Sequence, residues 1–379
     1  MTVACIEDLR RIARRRLPRV IFDFVDGGAM DEVTLRANRS DFQRVALAPR
    51  VLTDVSRRDA STTVLGQEVA LPLIIAPTGL AGLLWRQGEL ALVRAAERAG
   101  IAYCMSQMAA CSIEEVAQAS TLPFWFQTYL FKDRGINEGL IQRAARVGCR
   151  VLVVTVDTKV QGPRDRDVRN GFTVPPRLTP ASLLDMARRL RWLRGVALGP
   201  RVTFANLAGT VLDGDDIINI ARFATQQYDY TLDWSDIDWC RARWRGKLAI
   251  KGILTPEDAR LAVEHGADAL IVSNHGGRQL DGAPSPLAVL PAVVDAVQGR
   301  AEVILDGGVR RGGDVLKALA LGARACMAGR PFLYGLAAAG ERGVAQAIGL
   351  LAGEIDNGLA LLGRPSARAL DRTALRWLR

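Results

Sequence analysis

The chain has 379 residues, of which 49% are hydrophobic and 24% are charged, and it carries a formal net charge of +10. This length and composition allow a full hydrophobic core, so we expect one large domain over residues 1–379. The positive charge suits acidic small molecules, an anionic membrane surface or nucleic acid. Zinc-finger, helix-turn-helix and aromatic-stacking motifs are absent from the sequence, which argues against nucleic acid.

The cellular compartment is predicted from two further features of the sequence. No stretch of eighteen unbroken apolar residues occurs, and the first residues lack the apolar core of a signal peptide. Six cysteines are scattered without CxxC spacing, which is typical of buried thiols in a reducing compartment. We therefore expect a cytoplasmic protein, either free or resting on the inner membrane face.

The first predicted element is an N-terminal helical extension over residues 1–45. Apolar and basic residues alternate at helical spacing over residues 5–28, and the pattern stops at Gly27 and Gly28. A second helical pattern follows over residues 31–42. From there to Val64 the sequence is polar, and we expect a linker.

The pattern then changes to strand, loop and helix, repeated. Short apolar runs suited to buried parallel strands occur eight times, and most are followed by an amphipathic stretch. Eight strands that alternate with helices predict an α/β fold, a (β/α)8 TIM barrel over about residues 71–335, rather than a doubly wound sheet. The predicted strands are residues 71–76, 101–105, 124–128, 151–156, 248–251, 269–273, 302–305 and 325–328.

The connection after the fourth predicted strand departs from this rhythm. It runs from Asp157 to about Trp234, far beyond an ordinary loop, so we expect a long insertion over about residues 165–233 that serves as a lid or an interaction element. Within it, residues 182–196 form a predicted helix with leucines on one side, arginines elsewhere and Trp192 among them. Such a helix either rests on anionic lipid, as a peripheral membrane contact, or packs on its own protein.

A polar loop, SNHGGRQLDG, follows the sixth predicted strand. It places His275, one of two histidines in the chain, three residues before Arg278. Histidine can accept a proton near neutral pH, and a guanidinium group can bind a carboxylate through two hydrogen bonds. The pair therefore suits a substrate with a carboxylate next to a C–H bond, whereas the alternative is an exposed polar turn without function.

Active sites of such barrels form at the carboxyl ends of the strands, and this chain is polar at nearly every one. The last two strands are followed by DGGVRRGGD and AGRP, whose backbone amides and arginines suit a phosphate group. Four further side chains, three neutral donors and one cation, are expected between that phosphate and the barrel axis. Such a set suits a flat heterocycle that becomes anionic on reduction. These side chains are Ser106, Gln127, Thr155 and Lys251.

These motifs carry a family resemblance over essentially the whole chain. The segments APTGL, WFQTY, TVDT, IKGILTPEDARLA, SNHGGRQLDG and LDGGVRRGGDVLKALALGA resemble the FMN-dependent 2-hydroxy acid oxidase and dehydrogenase family. The variants PTGLAGLLW and DVSRRD are most similar to its (S)-mandelate dehydrogenase branch. The resemblance implies oxidation of a 2-hydroxy acid with FMN as the cofactor and no metal ion, in a homo-oligomer.

The resemblance also implies roles for individual residues. His275 would be the active-site base, with Asp157 hydrogen-bonded to it, and Tyr129 would form a hydrogen bond at the reacting centre. Arg164 and Arg278 would bind the substrate carboxylate. The residues expected at FMN are Pro77, Thr78, Gly79, Ser106, Gln127, Thr155, Lys251, Ser273, Asp306, Gly308, Arg310, Gly329 and Arg330.

Some positions depart from the family pattern. Phe24 stands where the family usually has a tyrosine whose hydroxyl helps to hold the substrate carboxylate. Met108 stands where the glycolate oxidases carry tryptophan, and Gln161 and Pro163 also alter the pocket wall. We expect a wider, more apolar pocket for a bulky or aromatic, mandelate-like (S)-2-hydroxy acid.

The sequence leaves two questions open. The first is the electron acceptor: reduced flavin would be reoxidised by oxygen, as in an oxidase, or by a quinone or other carrier, as in a dehydrogenase. Position 79 favours the dehydrogenase, because this chain has glycine where the oxidases mostly carry alanine. The alternatives to 2-hydroxy acid oxidation are an FMN barrel enzyme of other chemistry, such as an isomerase, and a flavin-binding protein that has lost turnover, which Phe24 motivates.

Overall fold

Eight apolar runs of the chain form parallel strands that close into a barrel. Around the barrel the strands follow one another in the order Glu302–Asp306, Ala325–Ala328, Leu73–Ile75, Ala102–Ser106, Trp125–Tyr129, Val151–Thr155, Lys247–Ile253 and Ala269–Ser273. The structure, a computed structural model, describes residues 2–173, 176–177, 179–209 and 217–378. The predicted (β/α)8 barrel is confirmed, and seven of the eight predicted barrel strands begin within one residue of the observed ones. The strands are β1 Val45–Leu47, β2 Thr62–Val64, β3 Gln67–Val69, β4 Leu73–Ile75, β5 Ala102–Ser106, β6 Trp125–Tyr129, β7 Val151–Thr155, β8 Lys247–Ile253, β9 Ala269–Ser273, β10 Glu302–Asp306, β11 Ala325–Ala328 and β12 Leu375–Trp377.

Helices cover the outside of the barrel, and several begin at the residue types that favour a helix start. Ser112 caps its helix together with Glu115, while Asp133, Thr255 and Ser285 each accept hydrogen bonds from first-turn amides. The helices of the described residues are α1 Ile6–Arg16, α2 Arg19–Asp26, α3 Val33–Ser40, α4 Gly88–Arg98, α5 Ile113–Gln118, α6 Arg134–Arg146, α7 Asp165–Arg169, α8 Pro180–Arg188, α9 Leu190–Ala197, α10 Ile217–Gln226, α11 Ser235–Arg243, α12 Pro256–Glu264, α13 Pro286–Val297, α14 Gly312–Ala320, α15 Arg330–Ala339 and α16 Glu341–Leu361.

The amino end of the barrel is closed by the hairpin of β2 and β3. Val64, Leu65 and Val69 from this hairpin pack with the fully buried Trp125 in the barrel interior. The indole of Trp125 donates a hydrogen bond of 3.2 Å to Gln67 at the start of β3. Because this end is filled with side chains, a ligand has access to the barrel from the carboxyl ends of the strands.

The N-terminal extension differs from the sequence prediction in two places. Residues 5–28 form two helices, α1 and α2, because Pro18 lacks the backbone N–H and holds the preceding Leu17 in an extended conformation. The polar linker predicted between residue 42 and Val64 is also wrong at its start. Its first residues form β1, which pairs with β12 in an antiparallel sheet.

The insertion contains two short helices where one was predicted over residues 182–196. Backbone geometry at Arg189 separates α8 from α9. Trp192 is buried and donates a hydrogen bond of 2.7 Å to the carbonyl of Leu83, so this side chain packs on the barrel. Part of the predicted insertion, residues 174, 175, 178 and 210–216, lies outside the described residues. Among the helices that the structure describes, none combines the length and hydropathy needed to span a membrane.

Candidate active site

A row of buried polar side chains crosses three neighbouring strands at the carboxyl end of the barrel. Ser106 donates to Gln127 over 3.0 Å, and the amide of Gln127 donates to Thr155 over 2.9 Å. Ser106 pairs with Gln127 in the sheet register, whereas Thr155 pairs with Tyr129, two residues beyond Gln127 on β6, and is reached by the Gln127 side chain. We call Ser106, Gln127 and Thr155 the polar row. All three are at least 96% buried, so they face the interior of the barrel mouth rather than solvent.

The next three strands carry a charged counterpart, which we call the lysine cluster: Lys251, Ser273 and Asp306. Lys251 Nζ donates to Ser273 over 2.8 Å and lies 2.8 Å from Asp306, and Ser273 donates to Asp306 over 2.7 Å. Burial opposes the charge of Lys251, but Asp306 and Asp157 outweigh it and raise the pKa of Lys251. The cluster therefore holds a fixed ammonium group beside the polar row.

His275 leaves the end of β9 in a left-handed backbone conformation with φ 58°, and its N–H donates to Ser273 over 3.1 Å. Its Nδ1 lies 2.9 Å from Oδ1 of Asp157 and 3.4 Å from the hydroxyl of Thr158. Burial would raise the pKa of Asp157, but the charge and hydrogen bond of His275, together with Lys251, lower it. Asp157 is therefore a carboxylate that accepts the Nδ1 proton and leaves Nε2 as the basic nitrogen.

Two arginines lie near this histidine. Arg278 donates to the carbonyls of Phe24 over 2.6 Å and Gly27 over 3.1 Å, and its guanidinium lies 5.1 Å from the centre of the Phe24 ring. Arg164 pairs with Asp167 over 3.4 Å, while its buried Nε has no hydrogen-bond partner. Burial and the charges of Arg164 and Arg330 lower the pKa of Arg278. Because guanidinium groups stay protonated, this lowering indicates a site that an anion would stabilise.

Aromatic side chains form part of the wall of the site. The ring of Tyr129 is 6.4 Å from that of His275, and Phe24 packs against Phe172 with ring centres 4.8 Å apart. Burial and the neighbouring Tyr228 raise the pKa of Tyr129, so its phenol remains a hydrogen-bond donor. Phe172 comes from the insertion and was not predicted, since no periodicity in the sequence connects it to the barrel.

The remaining predicted wall residues lie on two loops. Met108 follows β5, its N–H donates to Ser106 over 3.1 Å, and its carbonyl accepts from the N–H of Leu80. A Cβ at Gly79 would lie 3.1 Å from Cβ of Met108, so the loops after β4 and β5 touch at this glycine. Gln161 is exposed on the loop before Arg164.

The far side of the site contains the segments predicted to bind phosphate, which we call the phosphate cradle: Gly308, Arg310, Gly329 and Arg330. Burial lowers the pKa of Arg310 to about 10, and no carboxylate pairs with this guanidinium in the described part of the chain. Arg330 donates to the carbonyls of Val25, Gly27 and Gly276 at 2.8–3.0 Å. A phosphate would supply the anion that Arg310 lacks, so these residues fit FMN.

The loop after β4 lies between the polar row and the phosphate cradle. Pro77, Thr78 and Gly79 are half-buried there, and a Cβ at Gly329 would lie 3.1 Å from Thr78. Glycine at position 329 therefore keeps the ends of β4 and β11 close together. No group of three or more potential metal ligands occurs among the residues that the structure describes.

Sequence reasoning missed two residues that position the Asp157–His275 pair. Gly252, within β8, has φ 115°, and a Cβ there would lie 2.7 Å from Cβ of Asp157. Only glycine leaves room for the Asp157 carboxylate beside β8. The other is Thr158, the second neighbour of Nδ1 of His275. The glycine directly after Lys251 inside an apolar strand was the available signal for Gly252, since such a glycine marks a close approach.

The chain resembles known proteins over nearly its whole length. Residues 13–377 match the family described as FMN-dependent dehydrogenase. An L-lactate dehydrogenase of Caulobacter vibrioides (strain NA1000 / CB15N) is 43% identical over 376 residues, covering 99% of this chain and 98% of the relative. Glycolate oxidase 3 of Arabidopsis thaliana is 40% identical, covering 99% and 96%. The crystal structure of the monotopic membrane protein (S)-mandelate dehydrogenase matches with a TM-score of 0.96 at 39% identity, covering 100% of both chains.

Proposed function

The chain belongs to the family of FMN-dependent dehydrogenases, and on this basis we propose that it oxidises a bulky or aromatic (S)-2-hydroxy acid to the 2-oxo acid. FMN is its cofactor, and its reaction is the oxidation of a CH–OH donor, in keeping with the named relatives. Oxidation is therefore favoured over the isomerase and the inactive flavin-binding protein. The observation that carries the finer proposal is the convergence of His275, oriented by Asp157, with Arg164 and Arg278.

The two arginines would bind the substrate carboxylate. Arg278 is anchored through Nη1 to two carbonyls, which leaves its Nη2 and Nε for a ligand. Arg164 brings a buried Nε without a partner to the same region. A carboxylate between them would offset two positive charges that share one nearby carboxylate, Asp167, and would fix the α-carbon at a defined place.

His275 would act as the base. Its Nε2 would take the proton that leaves the substrate, and the imidazolium that forms would be stabilised by Asp157 at 2.9 Å. Tyr129 would donate a hydrogen bond at the reacting centre, because its raised pKa keeps the phenol protonated. FMN, when bound, supplies the acceptor for the two electrons released in the oxidation.

The cofactor residues form four groups whose chemistry fits FMN. The polar row and the lysine cluster would face the heterocycle, with Pro77, Thr78 and Gly79 against it. Lys251 would offset negative charge that develops on the ring. The phosphate cradle would hold the phosphate, and Asp306 would hold the ribityl chain.

The apolar residues of the pocket wall support an aromatic substrate. Phe24 and Phe172 present an apolar corner beside the arginines, and Met108 is flexible and apolar where a larger aromatic ring would narrow the space. The aromatic pair offers an edge or face to a substrate ring, which adds to the gain from burial. We therefore expect mandelate-like acids to be preferred over glycolate.

We propose a carrier such as a quinone, rather than oxygen, as the acceptor of electrons. Gly79 lies against the loop of Met108, and the Cβ of an alanine at position 79 would lie 3.0–3.1 Å from atoms of Met108. This chain therefore keeps glycine, without a side chain, beside the expected position of the flavin ring. A quinone acceptor would also suit a protein that contacts a membrane. One solved relative, an (S)-mandelate dehydrogenase, is named as a monotopic membrane protein.

A peripheral membrane contact is proposed on the outer face of the insertion. Trp192 is buried, so it anchors α9 to the barrel, whereas five leucines of α8, α9 and the turn after α9 are 40–74% exposed. Arginines flank these leucines, a composition that favours an anionic lipid surface. The leucines are Leu183, Leu184, Leu190, Leu193 and Leu198. Cytoplasmic location and a homo-oligomer stay predictions of the sequence.

The test is anaerobic mixing of the holoprotein with mandelate, phenyllactate, lactate and glycolate. Bleaching of the oxidised flavin band by the aromatic acids, with a higher kcat/KM than for glycolate, supports the proposal. Parallel turnover with oxygen and with an artificial quinone identifies the acceptor class. Faster turnover of glycolate than of mandelate would refute the proposed pocket.

A further inference from the structure

The proposed carboxylate site has no hydroxyl group at position 24, where the family usually has a tyrosine. Phe24 offers its carbonyl and its ring to Arg278, but it has no polar atom at the far end of the side chain. Arg164 and Tyr129 would supply the other donors, and both lie close enough to influence Arg278. A second phenol in this region would therefore add a donor that position 24 does not provide.

The tyrosines of the chain narrow the choice, since all five lie within the described residues. Tyr334 donates its hydroxyl to Asp26 over 2.7 Å. Tyr230 is 62% exposed, and Tyr103 is buried among the helix-facing side chains near Glu89. The remaining two tyrosines, Tyr129 and Tyr228, lie at the carboxyl end of β6.

The backbone of Tyr228 is fixed to the strand that carries Tyr129. A bridge joins Tyr228 to Phe131, two residues beyond Tyr129. The N–H of Lys132 donates to the carbonyl of Gln227 over 2.9 Å, and the N–H of Asp133 donates to the Gln227 side chain over 3.0 Å. The insertion therefore returns to the barrel at the end of β6 and carries Tyr228 with it.

The side chain of Tyr228 is half-buried, and its hydroxyl has no hydrogen-bond partner in the part of the chain that the structure describes. Burial raises the pKa of Tyr228 while the charge of Arg164 acts against the rise, so the phenol stays protonated and can donate a hydrogen bond. After burial, Tyr228 is the strongest influence on the pKa of Tyr129. A half-buried phenol without a hydrogen-bond partner, at the end of the strand that carries Tyr129, is available to donate to an anion.

We propose that Tyr228 is a substrate-contacting residue whose hydroxyl donates a hydrogen bond to the substrate carboxylate beside Arg164, in place of the hydroxyl absent at Phe24. This inference rests on the function proposed above and assigns a specificity role to the insertion. The contact is made from a loop rather than from the N-terminal helix. It would couple carboxylate binding to docking of the insertion on β6.

The first test measures binding of a non-reacting carboxylate, oxalate, through the change it causes in the absorbance of the oxidised holoenzyme. Tyr228→Phe keeps the ring and removes the hydroxyl, and Tyr230→Phe is the matched control on an exposed neighbour. We expect Tyr228→Phe to raise the Kd about tenfold and Tyr230→Phe to leave it unchanged. A Kd for Tyr228→Phe within about twofold of the parent would overturn the inference.

A second variant separates a direct contact from a structural effect. Adding Phe24→Tyr to Tyr228→Phe places a hydroxyl beside Arg278 and should recover most of the lost oxalate affinity. Failure of this rescue, with FMN content equal to that of the parent, would show that Tyr228 acts through packing. Reduction of the parent by mandelate is measured alongside: a parent that no 2-hydroxy acid reduces refutes the proposed function, whereas the oxalate comparison still decides the role of Tyr228.

Discussion

Oδ1 of Asp157 lies 2.9 Å from Nδ1 of His275, although the two residues follow different strands of the barrel, β7 and β9. The carboxylate fits beside β8 because Gly252 has no side chain at the point of contact. A buried anion therefore selects the orientation of the imidazole and offsets the charge that the imidazole acquires on protonation.

Replacement of Asp157 by asparagine should lower kcat strongly. The amide keeps the size of the side chain but cannot stabilise an imidazolium, so we expect a loss of about 10²–10⁴-fold in flavin reduction. Stopped-flow reduction by mandelate measures it. Thr158→Val, which removes the weaker neighbour at 3.4 Å, should cost far less. Equal effects of the two variants would contradict the assigned role of the carboxylate.

Removal of either arginine should weaken carboxylate binding. Arg164→Met and Arg278→Met each delete charge-assisted hydrogen bonds of about 1.5–3 kcal/mol, so the Kd for oxalate should rise about ten- to a hundredfold. Arg169→Met is the control, since Arg169 lies at the end of α7, the helix that begins directly after Arg164, but its side chain is 73% exposed and pairs with Asp165. Titration of the oxidised flavin gives the three constants. Unchanged affinity in the first two variants would exclude them from the carboxylate site.

Met108→Trp should reverse the preference for aromatic acids. Tryptophan is larger and stiffer than methionine, and the Met108 loop already touches Gly79, so the ring has to occupy pocket space. We expect kcat/KM for mandelate to fall at least about tenfold relative to that for lactate, in line with the cost of overpacking. The ratio of the two substrates serves as the internal control. A parallel fall for both acids would point to a general disturbance instead.

Asp26 provides a pH-dependent prediction on stability. Burial opposes its ionisation, but Arg10 and Tyr334 outweigh burial and lower the pKa of Asp26 to about 2 from 3.8. The ionised form therefore contributes about 2 kcal/mol above pH 3.8, and this contribution is lost as the pH falls toward 2.

Asp26→Asn should accordingly lower the free energy of unfolding in urea at pH 7, lose about half of that deficit at pH 3 and lose most of it near pH 2. Asp31→Asn, at an exposed position nearby, should show little change at any of these pH values. A deficit that stays constant between pH 7 and pH 3 would mean that the effect of Asp26→Asn is steric rather than electrostatic.

Much of the barrel could be predicted from sequence because its strands are short apolar runs buried on both faces. The predicted and observed bounds of β9 and β11 are identical. Boundaries failed where one residue overrides a periodic pattern: Pro18 divides the first helix, and the backbone at Arg189 divides the predicted insertion helix. Periodicity averages over a window, so it cannot locate such breaks.

The candidate site was predictable where its residues follow strands in chain order. The structure brings the polar row, the lysine cluster and the Asp157–His275 pair to one end of the barrel. Tyr228 and Phe172 could not be placed from sequence, because both lie on the insertion and reach the site through contacts distant in the chain. Sequence patterns report local structure and the ends of regular elements, and long loops offer neither.

The proposed role of His275 as the base is tested most directly by His275→Asn in rapid mixing with (S)-mandelate under anaerobic conditions. The variant should bind FMN and oxalate as the parent does, while the rate of flavin reduction falls at least about 10³-fold, because the proposed mechanism assigns the proton to Nε2. Flavin reduction within about tenfold of the parent rate would contradict that role.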